Sequence, residues 1–369
     1  MDLWWRTVIS VRITHVSDCF APRTGGIETQ VLGITRAQQG VGDDVRVITA
    51  TKGPEFSEFP VDRLSFPVPF DLPVHPRTYR EVSQLLRANP PEVVHVHAGV
   101  LSPFAWSATR AAHDLGLPIL VTIHSVWGQF ARPTFKVSGT WLRWNRVAMS
   151  AVSDIAAAHM RESLGVVVDV VPNGINVGSW KSSGLLDWQA RPLQLVSVLR
   201  IAPRKRTGAL LGLMSGLRTR GVDAELSIVG DGPEKSLWAR RARKDNLPIT
   251  FLGRLAPTEL KGVLSRSQIF VQPSAKESFG IAALEARTGG LAVIARKGTG
   301  TQTFMTDGID GRMCESDEAM VAAIAAWDRD RDSLRLVLEH NSEVAPKYSW
   351  SDIDQVVRAA YQRAITLAQ

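Results

Sequence analysis

Short runs of apolar, mostly β-branched residues recur along the chain, each followed by a more polar stretch of helical length. The first series is VRITHV (Val11 to Val16), VRVIT (Val45 to Thr49), VVHVH (Val93 to His97), ILVTIH (Ile119 to His124) and VVDVVP (Val167 to Pro172). A second series is LQLVSVL (Leu193 to Leu199), AELSIVG (Ala224 to Gly230), SQIFVQP (Ser267 to Pro273) and LAVIA (Leu291 to Ala295). Between the runs, segments such as Thr207 to Arg220 and Glu234 to Asn246 have helical length and period. Continuous apolar strands alternating with helices predict a parallel sheet covered on both faces. Two such series predict an α/β chain of two doubly wound, Rossmann-like domains. The break is expected between Pro172 and Pro192, a Gly-, Ser- and Asn-rich stretch without a strong period. This places an N-terminal domain at 1–175 and a C-terminal domain at 176–349. The last helix, 350–369, is free by its sequence to pack on either. Ligands of open parallel sheets bind at the carboxyl ends of the strands. Two facing sheets would make one cleft, so the residues just after each strand matter most.

At 369 residues, 44% hydrophobic and 21% charged, the composition is globular and excludes a disordered chain, a collagen and a coiled-coil rod. No run of ~18 apolar residues occurs, so no transmembrane helix is expected. Lys+Arg 43 against Asp+Glu 36 gives a net charge of +7, which favours anionic partners: nucleotide phosphates, anionic lipid headgroups or nucleic acid. Cys19 and Cys314 are the only cysteines, too few for a disulfide framework or a cysteine zinc site. Their scarcity fits a reducing cytoplasm. The first ten residues lack a long apolar core and are not read as a signal peptide. Trp4 and Trp5 read either as a short interfacial anchor or as a frayed start.

Several positions after the strands carry chemistry. Gly25 and Gly26 precede a helix expected over Ile27 to Gln39. Glycines allow close backbone approach, and a helix start favours an anion; an ordinary tight turn is the alternative. His124 ends the fourth strand and is either a hydrogen-bonding or acid/base group of the site, or a buried structural histidine. His95 and His97 read as wall residues. No carboxylate or third histidine stands at a spacing that completes a metal site. Arg200 and Lys205 follow LVSVL, with Arg204 and Arg206 adding charge and no acid between Arg191 and Asp223. An arginine fork and a lysine point charge suit a diphosphate; a solvated basic loop is the alternative. No aromatic residue lies near them, against nucleic-acid binding.

The stretch PSAKESFGIAALEARTGG predicts an apolar helix capped by Ser278 and stopped at Gly289-Gly290. Glu285 lies inside it and Glu277 just before it. A buried carboxylate needs partners, and facing a hydroxyl-rich ligand supplies them. The two acids would be ~12 Å apart along a helix, too far for one catalytic pair. They fit two parts of a long ligand, with the amides of Phe279, Gly280 and Ile281 near the first. GDGPE and KGTGTQ match no dinucleotide fingerprint, and no P-loop is present.

Together these stretches resemble the retaining, nucleotide-sugar-dependent glycosyltransferases of family 4, with the GT-B fold. The resemblance runs from about Val11 to Leu367. It rests on HVSDCFAPRTGGIE, VVHVHAG, VTIHS, AVS followed by VVPNGIN, the Arg200/Lys205 pair, IVGDGPE, ITFLGR, KESFGIAALEA, DGIDG and YSW. Leu199, Asn176 and KGTGTQ depart from the family's usual glycine, aspartate and GG-x-P-E. The resemblance implies that a UDP- or GDP-sugar binds in the C-terminal domain and an acceptor in the N-terminal one. The Gly25-Gly26 loop would approach the distal phosphate, and Arg200 and Lys205 would hold the diphosphate. Glu285 would take the ribose hydroxyls. Glu277, with Ser278, Phe279, Gly280 and Ile281, would bind the sugar, His124 would contact it near the reacting carbon, and Arg254 and Leu255 would contact the base. The leaving phosphate would take the acceptor's proton, leaving the protein to stabilise charge. No cofactor and no obligatory metal are expected, and domain closure is the expected slow motion.

The acceptor is expected to be a hydroxyl of a glycan, a glycolipid, a lipid-linked sugar, a phospholipid or a small molecule. Trp127, Phe130, Trp141 and Trp144, interleaved with Arg132, Lys136, Arg143 and Arg146, suit peripheral contact of a cytoplasmic protein with an anionic membrane, or a packed helix with exposed arginines. The competing functions are a nucleotide-sugar epimerase or phosphorylase on the same fold, and a non-catalytic nucleotide-sugar-binding protein.

Overall fold

The computed structural model describes residues 10–66, 75–99, 102–125, 141–142, 146–182 and 184–369. Of the aromatic and basic residues singled out above, Trp4, Trp5, Trp127, Phe130, Arg132, Lys136, Arg143 and Trp144 lie outside them. The chain divides into two compact units: Met1–Ile175 with Tyr348–Gln369, and Asn176–Lys347.

The first unit runs β1 (Arg12–Ser17), α1 (Gly26–Gly40), β2 (Asp44–Thr49), β3 (Val61–Arg63), α2 (Thr78–Ala88), β4 (Val93–Ala98), α3 (Pro103–Asp114), β5 (Ile119–Ile123), β6 (Ala148–Ala151), α4 (Asp154–Leu164) and β7 (Val168–Val170). The strands form one parallel sheet in the order β3-β2-β1-β4-β5-β6-β7. Every residue of β4 and β5 is buried, as the continuous apolar runs require of central strands.

Alternate residues of these strands serve two layers. Val94, Val96, Val121 and Met149 pack toward α2, α3 and α4 with Val82, Phe104 and Met160. Ile13, Val45, Val93, Leu120 and Ala148 pack toward α1 and the C-terminal helix Trp350–Ala368 with Val31, Ile34, Ile353, Val357 and Tyr361. The C-terminal helix therefore completes the first unit. It starts with a capping box, in which Asp352 N donates to Ser349 Oγ at 3.2 Å and Ser349 N donates to Asp352 Oδ2 at 3.0 Å. Where the chain leaves and re-enters this unit, Ile175 N donates to Tyr348 O at 2.9 Å. Gln30 brackets Gly174 with two hydrogen bonds of 2.9 Å. The Trp350 indole covers Gly33 and Gly174, where any Cβ would collide with it.

The second unit runs α5 (Val177–Trp180), β8 (Leu193–Val198), α6 (Thr207–Thr219), β9 (Ala224–Val229), α7 (Lys235–Lys244), β10 (Ile249–Gly253), α8 (Pro257–Leu264), β11 (Ile269–Gln272), α9 (Ile281–Thr288), β12 (Ala292–Arg296), β13 (Gly311–Cys314), α10 (Asp317–Arg329) and α11 (Arg331–Glu343). Its sheet is parallel, in the order β10-β9-β8-β11-β12-β13. The strand order reverses beside β1 in the first sheet and beside β8 in the second. The carboxyl ends of β1/β4 and β8/β11 are thus the topological switch points, where ligands of such sheets bind.

Candidate active site

In the second unit, the loops after β8 and β11 bring together residues 72 positions apart. Lys205 Nζ donates to Glu277 Oε2 at 2.5 Å, with side chains 33% and 15% exposed. Arg200 is exposed on the same loop. Arg206 turns the other way. Its guanidinium holds Asp317 at 2.7 Å and the Pro273 carbonyl at 2.9 Å, bracing the loop from behind. Gly230 and Gly232 make this loop possible. A Cβ on either would overlap the carbonyl of Leu199 or Ile201, and Ile201 N donates to Asp231 O at 2.9 Å. The GDGPE stretch therefore serves close approach of the β8 and β9 loops, a role its sequence did not declare. Arg254 and Leu255 follow β10, exposed and half-buried respectively.

The helix after β11 starts later than its sequence suggests. Ser278 does not cap it; Gly280 does, with φ 96°, and α9 opens at Ile281. The reason is the neighbouring loop Lys297–Gln302. Gly300 N donates to Glu277 O at 2.8 Å, and the bare Cα of Gly300 lies against the Ser278 carbonyl. This holds Ser278 and Phe279 in a bend that only a left-handed residue closes. Gln272 Nε2 donates to Thr301 Oγ1 at 3.0 Å beneath it. Gln272, Gly300 and Thr301 thus support the Glu277–Gly280 bend. Ala283 N and Leu284 N donate to Gly280 O at 2.9 and 3.0 Å, and among the described residues the amides of Ile281 and Ala282 donate to no carbonyl, which suits an anion or a polar sugar edge.

Glu285 lies one turn into α9. Burial without a compensating partner pushes its carboxyl up to about 8, and among the described residues its side chain makes no hydrogen bond or ion pair. By contrast Arg287 on the same helix is buried and fully engaged, with Asp310 at 2.7 Å and the Val344 carbonyl at 2.5 Å. One face of α9 is thus anchored, while a desolvated acid is left over.

In the first unit, Gly25 caps α1 and both Gly25 and Gly26 are exposed. The carboxylate of Glu28 folds back over Gly25 and pairs with Arg23 at 3.3 Å. His124 Nε2 lies 3.1 Å from His97 Nδ1. Burial lowers its pKa to about 4, against the opposing effect of a hydrogen bond to Asn173. His124 is therefore a neutral imidazole at pH 7. Asp18, after β1, had carried no expectation. It accepts from Phe104 N at 3.2 Å at the start of α3, and burial pushes it up to about 6.

His95 and His97 are not wall residues: both are almost completely buried. A third histidine, His15, joins them from β1, a convergence that sequence spacing does not reveal because it arises from sheet order. Among the described residues this is the one histidine or acid group compact enough for a metal ion. All six ring nitrogens already face protein atoms, at 2.7–3.1 Å. Trp141 packs half-buried against the apolar core and edge-on to His113 at 5.5 Å, whereas Arg146 is exposed.

Residues 24–179 match the model of Glycosyltransferase Family 4, and residues 181–343 match that of Glycosyl transferases group 1. A phosphatidyl-myo-inositol mannosyltransferase of Mycolicibacterium smegmatis is 28% identical over 92% of this chain and 90% of its own. A phosphatidylinositol N-acetylglucosaminyltransferase subunit of Arabidopsis thaliana is 24% identical over 96% of this chain and 82% of its own. Among solved structures, Anabaena HepE in complex with UDP and glucose superposes with a TM-score of 0.75, at 15% identity, over 94% of this chain and 98% of that one. The sucrose-phosphate synthase of Thermosynechococcus elongatus gives 0.76 at 18% identity, over 95% and 98%. The two parallel sheets, the two consecutive family matches and these relatives agree: the chain belongs to the family 4, group 1 glycosyltransferases and has the GT-B fold.

Proposed function

We propose that this glycosyltransferase is a retaining hexosyltransferase. It moves a mannose, glucose or N-acetylglucosamine unit from a UDP- or GDP-sugar to a hydroxyl of a lipid-linked acceptor, an inositol phospholipid being the first to try. The observation that carries the donor assignment lies at the β8/β11 switch point: Lys205 against Glu277, exposed Arg200 on the same loop as Lys205, and Glu285 on α9, without a polar partner among the described residues. In this reading Arg200 and Lys205 neutralise the departing diphosphate. Glu277, Ser278 and the amides of Phe279, Gly280 and Ile281 orient the sugar. Glu285 accepts from the ribose hydroxyls, and Arg254 and Leu255 flank the base. In the same reading the Gly25-Gly26 turn of the first unit takes the distal phosphate once the Glu28 carboxylate has moved off Gly25, and His124 is assigned to the sugar. The acceptor hydroxyl attacks on the face the diphosphate leaves and gives its proton to that phosphate. Positioning and charge stabilisation supply the rate, with no metal in the step. The lipid acceptor is supported by the phosphatidylinositol-directed relatives, and it brings with it peripheral contact with an anionic membrane.

Calorimetry with UDP and GDP side by side is expected to show binding of one of them in the presence of EDTA. Incubation of the matching sugar nucleotides with phosphatidylinositol vesicles is expected to give a glycolipid whose anomeric configuration equals the donor's. An epimerised donor without glycoside, or binding without turnover, would replace this reading.

A further inference from the structure

Behind His124 lies an unbroken line of buried polar side chains. His97 Nδ1 is 3.1 Å from His124 Nε2, and His97 Nε2 is 3.0 Å from His15 Nδ1. His15 Nε2 is 2.8 Å from Gln38 Oε1 on α1. Gln38 Nε2 then donates to Tyr361 Oη of the C-terminal helix at 3.2 Å, and Tyr361 Oη lies 2.8 Å from His95 Nδ1. His95 Nε2 is 2.7 Å from Thr122 Oγ1, which is 2.7 Å from Ser150 Oγ. On the strands, His15, His95, Thr122 and Ser150 stand two residues beyond Ile13, Val93, Leu120 and Ala148, and so on the same, α1-facing side of the sheet.

Protons on such a line can be counted. Burial lowers the pKa of His15, His95, His97 and His124, so at pH 7 each ring is neutral and carries one N–H. The rings from His124 to His15 are linked Nε2 to Nδ1, so the direction of donation at one link fixes it at the next. The Gln38 amide turns its nitrogen to Tyr361 Oη and its oxygen to His15, and in that orientation Oε1 accepts and the proton of His15 lies on Nε2. His15 Nδ1 must then accept from His97 Nε2, and His97 Nδ1 from His124 Nε2.

We infer that Gln38 is a positioning residue for His124: acting through His15 and His97, it places the ring proton of His124 on Nε2 and leaves Nδ1 as an acceptor. Tyr361 supports it by accepting from the Gln38 amide nitrogen. The inference rests on the reading that puts His124 at the sugar, and it deepens it. With Nε2–H given to His97, Nδ1 is the nitrogen left for the hydrogen bond to Asn173, so the Asn173 amide turns its nitrogen to the ring, and a substrate hydroxyl reaching Nδ1 would share that acceptor.

The test is nitrogen-15 NMR of the full-length protein labelled at histidine, at pH 7.5, with the His124 signals identified by their loss in His124→Gln. The expected wild-type result is the Nε2–H tautomer. Gln38→Leu is expected to give a mixture of tautomers and a kcat about fivefold lower with KM changed less than twofold. Gln38→Glu keeps an acceptor toward His15 and is expected to retain Nε2–H. An Nδ1–H reading in the wild type would overturn the inference, as would an unchanged tautomer and kcat in Gln38→Leu. The wild-type spectrum decides alone if Gln38→Leu does not fold. It is recorded without substrate, so it stands apart from the functional reading, whose failure would show as full activity in His124→Ala.

Discussion

Two acids on one short stretch live under opposite conditions. Glu277 has a lysine at 2.5 Å, whereas Glu285 has only desolvation, which lifts its carboxyl to about 8. If Glu285 accepts from two ribose hydroxyls, the ligand selects its ionised form. At pH 7 the free protein carries a proton there that the complex does not, so nucleotide binding releases a proton. Affinity therefore rises as pH climbs toward 8 and levels off above it. Calorimetry in buffers of different ionisation enthalpy checks this, and Glu285→Gln is expected to abolish the pH dependence. Lys205→Ala and Glu277→Ala are each expected to lower turnover at least about tenfold, ~1.4 kcal/mol of barrier, with circular dichroism unchanged; near wild-type rates would detach this pair from the chemistry. The sequence already marked both: Lys205 pairs with Arg200 in a basic loop after a strand, and Glu277 stands just before an apolar helix. Gln272, Gly300 and Thr301 were illegible there. Their value lies in the support they give to the Glu277–Gly280 bend, and nothing in their types announces it.

The strands illustrate the same divide at the level of elements. The central strands β4, β5, β8 and β9 stood out as long apolar runs, while β3, β6 and β13 are only three or four residues long and are not distinct as patterns. The start of α9 moved from Ser278 to Gly280 because a contact with the Lys297–Gln302 loop overrides a good capping residue. The polar layer between the first sheet and α1 follows the twofold alternation of strands, yet its closure by Tyr361 depends on a helix about 200 residues away in sequence from the sheet's last strand. That layer has a consequence for stability. His15 and His124 titrate near 4 when folded and near 6.5 when unfolded, so the unfolded chain binds more protons between these values. Stability is complete above about pH 6.5 and falls as pH drops toward 4, by ~1 kcal/mol per ring at pH 5.5. Denaturant midpoints at pH 7.5 and 5.5 measure this loss; it should shrink in His15→Gln.

For the molecule as a whole, the C-terminal helix is a structural part of the first unit. Ile353, Val357, Ala360, Tyr361 and Ala364 are buried against α1 and the sheet. Burying one large apolar side chain is worth ~1.5–3 kcal/mol, and a domain's stability is only about 5–15 kcal/mol in total. A chain ending at Lys347 is therefore expected to lose the first unit's thermal transition and its resistance to proteolysis. The second unit, Asn176–Lys347, should keep its own; an unchanged first transition would contradict this packing. In the proposed function an activated sugar is held at the β8/β11 switch point. The most direct measurement is a crystal of the full chain soaked with the sugar nucleotide that calorimetry selects. Phosphate oxygens are expected within hydrogen-bonding reach of Arg200 and Lys205, with the ribose on Glu285. A donor ordered elsewhere, touching neither Lys205 nor Glu285, would contradict it.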